Sequence, residues 1–450
     1  MNWRSELGFS ALSRAHKDAY VLALQRFLRM VAYGITTLIL ALFLRELNVT
    51  DAQIGYFMTL TLIGDVVLSY LVTFYADKLG RRAVLLYSSL VMSISGLMFA
   101  GSSNYWVLLL AATIGVISPS GDETGPFKSV EESTLAHLTH YDDRSDIFAW
   151  YNLMGTLGTA VGSLGGGFII GTLQQHMTTL ESYRAVFVIY SGLGGAKMLL
   201  NCFLSEKTEL GTEHDHHQDN NNTNHETEPL LNSNANTNTS TNTDSNATNT
   251  NTGTSANSLS KETKRVMIRL CTLFALDSLG GGFMPRSWLV VYLSQKFGIS
   301  EQTLGSIIFT TTMVGSVSVL ASSAMYKRAG PVYAMVLTHF PAALFNILIP
   351  MPTKLVPSLI FLLGREATTL MDVVPRQVFL ASVVRSEDRT KVMGIVNVVK
   401  TLSRSVGPTF TGHLAEVGHL GLAFIIAGCL ETSHDAGLLL MFRNVHPTPQ

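Results

Sequence analysis

The sequence predicts an all-α membrane protein of twelve transmembrane helices, arranged as two pseudo-symmetric six-helix bundles. Three observations carry this expectation. The 450-residue chain is 47% hydrophobic and only 14% charged, well below the roughly 25% charge of a soluble domain. Its apolar residues fall into twelve runs, most of them about the 20 residues a helix needs to cross hydrocarbon. A polar phrase also recurs, "DDRS" at 142–145 and "EDRT" at 387–390, each time just before an apolar run.

The runs are approximately 20–44, 52–75, 83–101, 105–138, 146–171, 182–204, 266–293, 301–325, 331–350, 356–384, 391–415 and 418–442. The first is too long for a signal peptide and is expected to stay as a helix. Thr50 and Ser300 stand where N-caps of the second and eighth helices belong. The fourth run is interrupted by "SPSGDETGP" and the tenth by the proline and charges of "MDVVPRQ". The twelfth carries the polar phrase "ETSHD" within its apolar length.

Residues 205–262 differ from the rest. From Gln218 to Ser258, 23 of 41 residues are Asn or Thr, so little can be buried to offset ordering entropy and disorder is expected. The chain thus divides into a tail (1–19), a first bundle (20–204), this loop (205–262), a second bundle (263–443) and a final tail (444–450). Lys78, Arg81, Arg82, Arg144, Lys264, Arg265, Lys327, Arg328 and Arg389 crowd one set of turns, which places both termini in the cytoplasm by the positive-inside rule. Within the loop, Glu226 with Leu230 and Leu231 fits an acidic dileucine pattern. This pattern would contact a sorting adaptor and direct the chain to endosomal or vacuolar membranes; without it the plasma membrane is expected. "EHDHH" (213–217) reads either as a metal ligand set or as solvated histidines.

A net charge of −1 excludes a nucleic-acid surface. Cys202, Cys271 and Cys429 show no disulfide or metal spacing. No phosphate-binding glycine loop, nucleophile–base pair or metal-ligand cluster stands out in the spans, so neither an enzyme nor a cofactor is expected.

Residues 130–167 overlay on 375–412, pairing Asp143 with Asp388, Arg144 with Arg389, Asn152 with Asn397 and Gly162 with Gly407. A second overlay, shifted by 250, sets "VTDAQIG" (49–55) on "ISEQTLG" (299–305). Two six-helix halves repeated with the same polarity form a transporter plan, with the solute site between the halves near the midplane.

"YADKLGRRAVLL" (75–86) resembles the signature between helices 2 and 3 of the major facilitator superfamily. Asp77, Lys78, Gly80, Arg81 and Arg82 match it, and Thr73 replaces its first glycine. "GPFKSVEESTLA", "LDSLGGGF" and "MDVVPRQ" resemble a subgroup of that superfamily with no settled substrate. The resemblance implies a gating role for Asp77, Gly80, Arg81 and Arg82 together with Asp143, Arg144, Asp388 and Arg389. Arg81 and Arg82 are expected to pair with Asp142 or Asp143; the alternative is that the basic turn only sets topology. Gly158, Gly162, Gly166 and Gly167 on the fifth helix, with Gly407, Pro408 and Gly412 on the eleventh, resemble a glycine–proline phrase seen in antiporters. Close helix packing reads the same residues without implying antiport.

In the superfamily, helices 1, 4, 7 and 10 line the central cavity, and here they carry most of the intramembrane charge. The solute or ion pathway is therefore expected to use Arg26 and Arg29, Glu123, Glu131 and Glu132, Asp277 and Arg286, and Arg365, Asp372 and Arg376. At 100° per residue the last three form one stripe on a helix. Arg376 falls on Glu131 in the overlay, which suggests a charge network between the halves. Asp65, in the second helix, is a candidate proton carrier, or else a carboxyl paired with Arg26 or Arg29. The function expected is secondary, proton-coupled transport of a small polar solute by a monomer, with export by antiport favoured. The alternative is a membrane receptor that signals through the 205–262 loop.

Overall fold

The structure is a computed structural model that describes residues 9–115, 117, 119, 126–140, 143–209, 261–384 and 386–442. Among these residues every regular element is helical. A short α1 (Phe9–Arg14) precedes α2 (Lys17–Glu46), α3 (Asp51–Leu79) and α4 (Arg81–Gly101). The fourth span is split into α5 (Tyr105–Gly115) and α6 (Pro126–Leu138), and α7 (Arg144–Leu173) and α8 (Thr179–Asn201) complete the first bundle. The second bundle repeats the order: α9 (Lys261–Phe283) and α10 (Arg286–Phe297), α11 (Glu301–Ala329), α12 (Pro331–Leu348), α13 (Leu355–Thr369) and α14 (Val373–Val383), α15 (Ser386–Glu416) and α16 (Leu420–Phe442). Eight of these helices are long and apolar enough to cross a bilayer alone. The fourth and tenth spans are each broken into two shorter helices, and α10 extends the seventh span beyond α9.

The breaks have local causes. A 3-10 turn at Leu370–Asp372 separates α13 from α14, just ahead of Pro375. The seventh span, expected to be continuous, stops at Phe283 and restarts after Pro285, whose missing N–H and fixed φ suit a helix start. The polar-marked twelfth run forms one helix from Leu420 to Phe442.

The turns confirm the internal repeat. Thr50 caps α3, its side chain accepting from the Gln53 N–H, and Ser300 caps α11 by accepting from Thr303 N–H. Asn48 (φ 61°) and Gly298 (φ 62°) form one pair of left-handed positions, and Gly80 (φ 86°) and Gly330 (φ 74°) form another. Each pair is 250 positions apart. Gly80 and Gly330 reverse the chain between helices with no residue to spare, which a Cβ at that φ would strain.

Within the first bundle α2 packs along α7, and α4 along α8; within the second α9 packs along α15, and α12 along α16. Between bundles the main contacts are α3 on α15 and α7 on α11. Small residues set these approaches. The Gly34 and Gly162 positions bring the α2 and α7 backbones together, and Gly282 and Gly407 do the same for α9 and α15. A Cβ at Gly162 would run into the Val31 carbonyl. Gly162→Leu is therefore expected to cost about 1–3 kcal/mol by overpacking, read as a lower unfolding midpoint of the detergent-purified protein.

Buried apolar residues show where the two bundles meet. One cluster joins them near the Asn48/Gly298 turns, running from Ile35, Leu38 and Phe57 to Trp288, Val291 and Phe424. Toward the Gly80/Gly330 turns there are two separate clusters. Leu22, Leu85 and Tyr151 belong to the first bundle, and Leu270, Phe379 and Phe442 to the second. The bundles thus share a core at one end and keep their own cores at the other.

Candidate transport site and gates

The shared end is stitched across the bundles. Gly55 of α3 lies against Pro408 and Gly412 of α15, where a Cβ would sit 2.6 Å from the Pro408 carbonyl oxygen. Its repeat mate Gly305 of α11 lies against Ser163 and Gly167 of α7, and a Cβ at Gly167 would meet the Glu301 carbonyl oxygen at 2.6 Å. Thr59 and Thr409 share a hydrogen bond of 2.7 Å, and Tyr56 and His413 one of 3.0 Å. Glu416 accepts from Ala52 N–H (2.9 Å), and Glu301 accepts from Tyr183 (2.6 Å) and Gln174 (3.2 Å). Ser287, at the start of α10, donates toward the carbonyls of Thr37 and Pro119. Of the seven glycine-phrase residues, Gly167, Pro408 and Gly412 serve these inter-bundle contacts. Gly158, Gly162 and Gly166 face α2, and Gly407 faces α9.

At the opposite end, Gly80 terminates α3 and the Glu209 carboxylate accepts from the backbone N–H groups of Arg81 (2.7 Å) and Arg82 (3.0 Å). This is an anion at a helix N-terminus, the arrangement the peptide dipoles favour. The Arg81 guanidinium donates to Ser133 Oγ at 2.8 Å. Asp143 takes its hydrogen bond from Arg14 (2.5 Å), which holds the carboxyl below its usual range. Among the described residues the signature thus meets Glu209 and Ser133; Asp142, one of the two partners expected, lies outside them. Arg144 reaches the Ala136 carbonyl. Asp388 and Arg389 are half-buried in the first turn of α15. Asp142, the Asp77 side chain and Glu123 lie outside the described residues, as do the histidines at 213–217 and Glu226, Leu230 and Leu231.

The intramembrane charges gather into one cluster per bundle. Glu131 on α6 is fully buried. It accepts from Arg29 of α2 (2.6 Å) and Tyr151 of α7 (2.7 Å), and Lys197 of α8 lies 3.2 Å from its other oxygen. Beside it, Arg26 stacks over the Tyr151 ring at 4.0 Å and approaches Glu132 (3.8 Å). Asp65 is buried in α3.

In the second bundle the signs invert. Arg376 on α14 donates to Asp277 of α9 at 2.9 Å and to Asp372 through Nε at 2.8 Å. The far oxygen of Asp277 lies 3.2 Å from His339 Nε2 of α12. His339 Nδ1 is 3.0 Å from Asp435 of α16, and His434 Nδ1 is 3.1 Å from the same carboxylate oxygen. Glu131 and Arg376 are repeat mates, and each is the central ion of its own cluster, flanked by charges of opposite sign. Their described ion pairs join helices of the same bundle. Arg365 pairs with Glu366 at 2.5 Å and Arg286 donates to Thr312 Oγ1 at 3.1 Å. Along the tenth span a 3-10 turn lies between Arg365 and Arg376, and Asp372 at its end pairs with Arg376.

Lys197, His339, Glu431, His434 and Asp435 did not come forward from the sequence. Their signal was present, because an ionisable residue inside an apolar span is costly unless partnered. They sit on the sixth, ninth and twelfth helices, behind the helices that line the cavity in the superfamily.

A model of the Major Facilitator Superfamily matches residues 22–408. The chain belongs to that superfamily. An uncharacterized membrane protein of Saccharomyces cerevisiae is 42% identical over 435 residues, covering 96% of this chain and 95% of the relative. A class E tetracycline resistance protein of Escherichia coli is 29% identical over 186 residues, 40% of this chain and 42% of that protein. Among solved structures, a bacterial homolog of the human lysosomal transporter Spinster superposes with a TM-score of 0.69 at 13% identity, over 99% of this chain and 98% of the other. A D-xylose–proton symporter superposes with 0.67 at 14% identity, over 95% and 98%. This superfamily member is an integral, multi-pass membrane protein with the twelve-helix fold of transporters.

Proposed function

We propose that the protein is a secondary active transporter that moves a small polar solute across its membrane by alternating access, coupled to protons. The single observation behind this reading is the asymmetry of the core, shared at the Asn48/Gly298 end and divided at the Gly80/Gly330 end. Two rigid bundles that meet at one end only can rock about a site between them. The excess of Lys and Arg at the Gly80/Gly330 turns supports a cytoplasmic position for that end and for both termini, which makes this conformation inward-open. The part-exposed charges Glu132, Arg365, Glu366 and Arg376 supply polar contacts for a solute, favouring a polar or zwitterionic one. Asp65, a carboxyl buried within the second span, is assigned to proton coupling, since an intramembrane ionisable residue is costly unless it serves a function. The glycine phrases on α7 and α15 favour export by antiport.

Flux of labelled polar solutes into proteoliposomes, measured with and without an imposed pH gradient, tests this. At least one solute is expected to move faster with the gradient. Asp65→Asn should abolish that acceleration while leaving protein yield normal. A panel unaffected by the gradient in the wild type removes the coupling, and the absence of any carrier-dependent flux removes the transport reading. Deleting residues 210–258 should leave flux intact, which a receptor working through this loop would not predict.

A further inference from the structure

The polar cluster of the second bundle contains more than an ion-pair network needs. Asp277, His339 and His434 come from three different helices, α9, α12 and α16. Each offers a ligand atom within 4.8 Å of those of the other two, and all three residues are buried. Both imidazoles turn Nδ1 to one carboxylate, Asp435, at 3.0 and 3.1 Å. That leaves each Nε2 as the available ligand atom. His339 Nε2 faces Asp277 Oδ1 at 3.2 Å. The His434 side chain is 1% exposed, and its Nε2 is buried without a hydrogen-bond partner. A carboxylate that orients an imidazole through the nitrogen facing away from the metal is the usual outer-shell partner of a metal-bound histidine.

We propose that Asp277, His339 and His434 bind one divalent first-row transition-metal ion inside the second bundle, with Asp435 orienting both imidazoles. Two imidazoles and a carboxylate are a donor set that such ions accept, with a further coordination position left open. The charges agree. Asp277 and Asp372 share the Arg376 guanidinium while Asp435 lies against the two imidazoles, a setting that favours a cation. A proton shared by His339 between Asp277 and Asp435 would offset one charge and leave His434 Nε2 unsatisfied. The ion satisfies both. It would tie the ninth and twelfth spans to the seventh from behind, while Arg376 holds the other oxygen of Asp277.

The site goes beyond the transport reading and is tested separately from it. Full-length protein with His214, His216 and His217 changed to Asn, so that the loop histidines cannot contribute, is stripped with chelator and titrated with Zn²⁺ and Co²⁺. One ion per chain is expected, with a higher unfolding midpoint when Zn²⁺ is bound and imidazole-type ligand-field bands with Co²⁺. His434→Gln should abolish binding at concentrations that saturate the parent. Asp435→Asn should weaken it about 10–100-fold, with monodisperse elution confirming that both variants fold. Should either variant fail to fold, the Co²⁺ bands of the parent decide alone. No retained ion, unchanged affinity in His434→Gln, or a midpoint that follows pH but ignores Zn²⁺ would overturn the proposal. The last result would point to a proton site. Solute flux in proteoliposomes is unaffected by any of these outcomes as evidence for transport.

Discussion

Glu131→Gln is expected to destabilise the protein by about 3–5 kcal/mol, the usual cost of removing one partner from a buried ion cluster. The carboxylate is wholly buried and stands between Arg29 at 2.6 Å and Lys197 at 3.2 Å. Its neutral replacement leaves two cations in a low-dielectric interior. Unfolding midpoints in detergent provide the measurement. Lys197→Met in the Glu131→Gln background should recover part of the loss, since it removes one of the two cations that Glu131 faces. A double-mutant cycle isolates this coupling. A midpoint within a degree of wild type for Glu131→Gln would mean that the cluster is already neutral or wet.

Placing leucine at both Gly55 and Gly305 is expected to open the closed end. These glycines touch backbone of the opposite bundle, Pro408 and Gly412 for one and Ser163 and Gly167 for the other. Each added side chain costs about 1–3 kcal/mol in this conformation only. The packing inside either bundle is untouched, so the protein should fold while its equilibrium moves on the order of tenfold or more, since each 1.4 kcal/mol is a factor of ten. The rate at which an impermeant maleimide labels Thr59→Cys, in a background with Cys202, Cys271 and Cys429 replaced, reports the change from the Asn48/Gly298 side. Unaltered labelling of a well-folded variant would show that this glycine contact does not control access.

The sequence made the repeat legible because turn chemistry and glycine contacts depend on single residues. Thr50 and Ser300, Gly80 and Gly330, and Gly162 and Gly407 can be paired by inspection. Breaks at the fourth and tenth spans were visible as polar and proline interruptions. The break before Arg286 was hidden because Met284–Pro285 lies in otherwise apolar surroundings. The charge partners were harder to read. Lys197 and Glu131, or His339 and Asp277, are distant in sequence, and which helix stands behind which is decided by packing across the whole bundle. Between Arg365 and Arg376 a 3-10 turn departs from the α-helical rotation, which the sequence does not signal. Glu209, which closes the basic turn, stands at the edge of a polar loop, where nothing in the sequence marks its partner.

The shared apolar cluster also has a consequence for how the protein is made. When the ribosome has delivered α8, the first bundle already owns the core around Leu22, Leu85 and Tyr151. Its wall at Ile35, Leu38 and Phe57 still awaits Trp288 and Val291. The nascent half therefore carries an adhesive face that only its later sibling fits. A chain severed within residues 210–260 and supplied as two polypeptides retains everything needed for the pieces to find each other in the bilayer.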